Sequence, residues 1–158
     1  MNKAELIQLI IAKLSNNLNV LFTAAKTAHE AATHEETHPE NEYDTFALET
    51  MYVAQGQANR AQEIRKSIEI YKQLKPMAEE DTIHLTSLVT LEDADSSIKI
   101  VFIGPIEGGL KINHQGKEIM VITPVSPLGK ELIGKSVGDT VEIGTGKNRV
   151  EYEIIKAS

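Results

Sequence analysis

From Ile7 to Ala32 the apolar residues recur at alternating steps of four and three: Ile7, Ile11, Leu14, Leu18, Leu21, Ala25, Ala28 and Ala32. This is a heptad seam with no Gly or Pro inside it, and it confines the segment to one long amphipathic helix. A second series runs through Ala47, Met51, Ala54, Ala58, Ala61, Ile64 or Arg65, Ile68 and Tyr71. Pro39 stands between the two. Proline cannot continue a helix and disfavours helix in the residue before it, so the chain is expected to reverse near His38 and Pro39. Folding back then sets Leu14, Leu18 and Leu21 against Ala61, Ala58 and Ala54, with Ala25 meeting Met51 and Ala28 meeting Ala47. Small residues let the backbones approach. Two helices of about 30 residues make a slim rod of about 45 Å. Each satisfies the other's seam, which favours a monomer.

Beyond Pro76 the period changes. Residues 77–81 read as a short acidic linker, and the segments 83–91, 98–103, 118–122, 139–143 and 149–155 are rich in β-branched residues. Turns are expected at 104–105, 107–109, 113–116 and 144–146. One short helix fits 127–133, with Ser126 as its N-cap and Pro127 at its first position. The expected fold class is α+β. An antiparallel coiled-coil hairpin spans 1–75, and an antiparallel β domain with one short helix spans 82–158.

Charge narrows the function classes. A net charge of −7 argues against general duplex binding, which needs clustered Lys and Arg. No Lys or Arg lies between Lys26 and Arg60, a stretch that holds Glu30, Glu35, Glu36, Glu40, Glu42, Asp44 and Glu49. The expected hairpin therefore carries an acidic tip near 34–44. Cysteine is absent, which removes disulfides, thiolate metal sites and Cys nucleophiles. Glu5, Gln8 and Lys13 interrupt the apolar N-terminal run, so neither a signal peptide nor a membrane span is expected there. A cytoplasmic protein fits these features.

Thr123-Pro124-Val125-Ser126-Pro127-Leu128-Gly129, then Leu132-Ile133-Gly134 and Gly138-Asp139-Thr140-Val141, resemble the C-terminal signature of the Gre family of transcription factors. The strand 150–156 fits as well. In the first half, Glu40-Asn41-Glu42-Tyr43 is similar to the Glu-Asn-x-Glu-Tyr of that family's coiled-coil tip, shortened by one residue. The resemblance implies an FKBP-like C-terminal domain that docks on RNA polymerase at the rim of its secondary channel. It implies a coiled coil whose tip carboxylates help to hold a second Mg²⁺ in the polymerase active site, beside the RNA 3′ end. Hard divalent cations prefer oxygen ligands, and paired metals promote phosphodiester hydrolysis. The chain would then be no enzyme itself and would have no cofactor of its own. It would share Mg²⁺ with the polymerase and stimulate that enzyme's cleavage of backtracked RNA.

Carried over by position, Glu40 matches the tip Glu and Asn41 follows it as in the family. The family's Asp, three residues earlier, falls on Thr37, which supplies no carboxylate. Glu36 is the neighbouring substitute, so Glu36 and Glu40 are the candidate Mg²⁺-holding pair, with Glu42 and Asp44 as further carboxylates. Without such a pair the charged tip would occupy the channel without promoting cleavage. Tyr43 matches the tip Tyr and suits bracing of the turn. Ser126, Pro127, Leu128, Gly129, Leu132 and Ile133 are the candidate polymerase-docking residues.

Rival motifs carry less. His34-Glu35-Glu36-Thr37-His38 spells the helix-borne zinc motif H-E-x-x-H, in which a Glu acts as general base. Pro39 follows at once where a zinc-hydrolase helix would continue, and no third ligand is nominated. Ser126 lacks a Gly-x-Ser-x-Gly context and reads as an N-cap. A peptidyl-prolyl isomerase pocket needs aromatic lining, for which the second half offers only Phe102 and Tyr152. His84 and His114 read as surface residues.

Overall fold

A computed structural model of the chain describes the backbone of residues 2–35 and 41–158, and the side chains of 2–24, 26, 27 and 56–158. Two helices, α1 (Lys3–Glu35) and α2 (Asn41–Gln73), precede six strands and a third helix: β1 (Leu88–Asp93), β2 (Ile98–Ile103), β3 (Lys111–His114), β4 (Lys117–Ile122), α3 (Pro127–Leu132), β5 (Thr140–Ile143) and β6 (Val150–Ala157). The α+β class holds. The chain divides into two compact units: Ile11–Lys72, and Met1–Ile10 together with Gln73–Ser158. The first turns of α1 thus belong with the sheet, whereas the sequence assigned them to the hairpin.

Helix α1 starts where Asn2 caps it. The Asn2 Oδ1 accepts from the amides of Ala4 at 2.9 Å and Glu5 at 3.3 Å. Glu5 adds negative charge to the first turn, where the helix dipole favours it. Among the described residues of α2, Ala61, Ile64, Ser67, Ile68 and Tyr71 are buried, so Ile64 and not Arg65 continues the seam. On α1, Ile7 and Leu14 are buried as the heptad requires, but Leu6 and Ile10 are buried too while Ile11 is only half-buried. The stripe widens because these turns belong to the unit that also contains the sheet. By length and composition alone, Lys3–Ala24 is long and apolar enough to cross a bilayer, contrary to the sequence expectation. Its exposed Glu5, Gln8 and Lys13 mark it instead as the two-sided helix that the seam describes.

The predicted helix pairing places Phe22 opposite Val53, twelve residues short of Arg65, a separation of about 18 Å along the axis. The Arg65 guanidinium nevertheless lies 4.6 Å from the centre of the Phe22 ring. No arginine side chain spans that interval. The two helices are therefore offset along their axes from the pairing the seam suggests.

The sheet order is β3-β4-β2-β1-β6-β5. Four of its pairings are antiparallel as expected, but β2 and β4 run parallel, with Ile100 beside Ile119 and Ile103 beside Ile122. The cause is β3, of which the sequence put Asn113 and His114 in a turn and assigned Lys111 and Ile112 to no element. It pairs with β4 as a tight hairpin at the sheet edge and returns β4 alongside β2. The first predicted strand also starts late. Thr86 has φ 73°, a left-handed backbone that ends extended structure there, and β1 begins two residues on. The Thr86 amide instead donates to Ile103 O at 2.8 Å, and its hydroxyl accepts from the Met77 amide at 2.9 Å.

One face of the sheet packs on α3. Val89, Leu91, Val101, Ile103, Ile122, Val141 and Ile154 form a core with Ile83, Leu128 and Leu132. Ile83 is pinned beneath the end of α3, its amide donating to Lys135 O and its carbonyl accepting from Gly134, both at 2.8 Å. His114 lies in β3 and is buried, and His84 is half-buried with its Nδ1 3.0 Å from Thr82 O, so neither is the surface residue expected.

Candidate functional site

The candidate docking residues sit around α3, and a turn places them. The Ser126 amide donates to Thr123 O at 3.0 Å, closing the turn that leads in from β4. The Ser126 hydroxyl donates to the same carbonyl at 2.7 Å and accepts from the Gly129 amide at 3.1 Å. It thereby satisfies one of the donors that a helix start leaves unpaired. Pro127 follows at the first helical position, where its missing N–H costs nothing.

This geometry sorts the six residues into two groups. Leu128 and Leu132, one turn apart, point into the sheet core, and Leu132 is wholly buried. Gly129 is buried beneath the Thr123 carbonyl, where no side chain fits. These three cannot form a direct docking contact, which corrects the expectation for them. They hold α3 in place. Pro127 and Ile133 are exposed, and Ser126 is half-buried. The sequence missed two exposed neighbours, Val125 at 77% and Val137 at 56% exposure. An apolar residue in a turn beside a buried helix was the available signal for both. Val125, Pro127, Ile133 and Val137 are the apolar groups that the α3 region offers to a partner.

At the other end of the sequence, Asn41, Glu42, Tyr43 and Asp44 form the first turn of α2. Their backbone is helical, and their side chains lie outside the described residues. Glu36 and Glu40, the candidate metal-holding pair, lie outside the described residues, as do Thr37, His38 and Pro39 of the zinc-motif region. His34 and Glu35 close α1. Among the described residues no cluster of His, Asp and Glu is arranged to hold a metal ion.

Residues 78–158, just over half of the chain, match the family described as "Transcription elongation factor, GreA/GreB, C-term". The transcription elongation factor GreA of Rickettsia canadensis (strain McKiel) is 37% identical over 76 residues, 48% of this chain and 44% of that protein. GreA of Anaeromyxobacter sp. (strain K) is 38% identical over 76 residues, 47% of this chain and 42% of that protein. The chain thus spans under half the length of these curated relatives. Among solved structures, Thermus aquaticus Gfh1 is 23% identical with a TM-score of 0.41, covering 92% of each chain. GreA factor homolog 1 (Gfh1) of Thermus thermophilus is 23% identical with a TM-score of 0.39, covering 94% of each. With the Ser126-Pro127 turn, the short buried helix and the closing strands all inside the matched region, the chain belongs to the GreA/GreB family of transcription elongation factors.

Proposed function

We propose that this chain binds bacterial RNA polymerase at its secondary channel and there stimulates cleavage of backtracked RNA. The observation that carries the reading is the family match over 78–158, joined to a pair of 33-residue helices that flank an acidic block. The sheet domain supplies the dock through Val125, Pro127, Ile133 and Val137. The helical segment supplies the carboxylates. Glu36 and Glu40 offer hard oxygen donors, the chemistry that Mg²⁺ requires. A second Mg²⁺ held there would activate water and stabilise the leaving oxygen in the polymerase's own active site. Tyr43 braces the start of α2 next to the RNA 3′ end. The polymerase is the enzyme, and the cytoplasm is where the chain would meet it.

A second reading rests on Thr37. A hydroxyl at the position of the family's tip Asp removes one carboxylate, which favours a factor that occupies the channel without promoting cleavage. Stalled elongation complexes decide between the two. The cleavage reading expects shortened transcripts with the unaltered chain and about 10² less cleavage with Glu40→Ala. Transcripts that stay intact, while elongation is slowed, support channel occupancy instead.

A further inference from the structure

The opposite face of the sheet carries a groove that polymerase docking through the α3 region leaves unused. Successive side chains on a strand point to opposite faces, so Leu88 and Thr90 turn away from the core that holds Val89 and Leu91. The register carries that face sideways: Thr90 pairs with Ile100 in β2 and with Lys156 in β6. These residues, with Ile98 and Lys117, line a groove of about 620 Å³. Its floor is aliphatic, and Ile98 at its edge is 54% exposed.

Its rim is cationic. Lys99, Lys117 and Lys156 stand around it, in a chain whose net charge is −7. Glu118 is the one carboxylate in the lining, and it pairs with Lys111 at 3.9 Å. Lys99 lies 5.9 Å from the centre of the Tyr152 ring. Lys117 and Lys156 make no ion pair among the described residues. No aromatic side chain lines the groove, so it offers no stacking platform for single-stranded nucleic acid.

We propose that this groove docks an acidic amphipathic segment of a partner protein, its aliphatic side chains on Ile98 and Ile100 and its carboxylates on Lys117 and Lys156. The lysines at its rim attract an acidic partner and steer it to this face. The proposal stands apart from polymerase docking, which uses the other face.

The test titrates the full chain, at low salt, with a soluble peptide of alternating Leu and Glu, followed by amide chemical shifts. Saturable shifts confined to β1, β2, β4 and β6 are expected. Lys117→Glu with Lys156→Glu should weaken binding about tenfold or more. Ile98→Ser should weaken it too, and Lys147→Glu, away from the groove, should not. Equal binding of a Ser-Glu peptide overturns the proposal, because charge alone would then suffice. So does an unchanged affinity in the double variant, or binding only of dodecanoate or of phosphatidylglycerol vesicles. A chain that shows no shifts with the peptide yet still binds polymerase refutes the groove and leaves the functional reading standing.

Discussion

The hydroxyl of Ser126 donates to the carbonyl of Thr123 across 2.7 Å, closing the turn from which α3 starts. The same oxygen accepts from the Gly129 amide, so one side chain fixes both the turn and the first donor of the helix. Ser126→Ala should therefore destabilise the chain by about 1 kcal/mol, the usual cost of a lost N-cap. Urea denaturation should show a lower midpoint with an unchanged slope, since the folded surface stays the same.

Two helical glycines predict opposite signs. A Cβ at Gly129 would meet the Thr123 carbonyl carbon and the Ser126 Oγ, each at 2.9 Å, and the rigid turn that holds them cannot give way. Gly129→Ala should cost about 1–3 kcal/mol. At Gly56, inside α2, a Cβ would meet nothing within 4 Å. Gly56→Ala should raise stability by roughly 0.5–1 kcal/mol, because alanine leaves less backbone freedom to lose on folding. Thermal denaturation of the two variants beside the parent checks both signs.

Lys3 gives a pH signature. Burial holds its ammonium below the ordinary value of 10.5, partly opposed by the carboxylate of Glu79. The folded chain thus binds this proton less tightly than the unfolded chain does, and unfolding takes a proton up between the lowered value and 10.5. Stability linked to Lys3 therefore rises with pH across that window and levels off above it. Urea midpoints of the parent and of Lys3→Met, followed from neutral pH towards 10.5, should show this rise in the parent and its loss in the variant. Parallel profiles would contradict it.

The helices, the sheet class and the family could be read from the sequence because each rests on local pattern. A seventh-residue repeat, β-branched runs and a Ser-Pro turn are visible without knowing what lies opposite them. What escaped the sequence depends on partners distant in the chain. The parallel β2–β4 pair follows from the hairpin that β3 makes with β4, and a four-residue strand between turn residues carries little periodic signal. The Arg65–Phe22 contact shows that a heptad fixes which face of a helix is buried and leaves its axial offset free. Ser126 to Ile133 were recognised as one motif, yet Leu128 and Leu132 are core while Val125 is surface. A motif marks a place in the fold and does not say which of its side chains face outward. For the acidic tip, the sequence alone names Glu36 and Glu40.

Association with RNA polymerase tests the central claim most directly. Core polymerase immobilised on a solid support should retain the chain near one to one, and Val125→Asp with Ile133→Asp should abolish retention while the denaturation midpoint stays close to that of the parent. A folded, unaltered chain that passes over the polymerase without being retained would contradict the account.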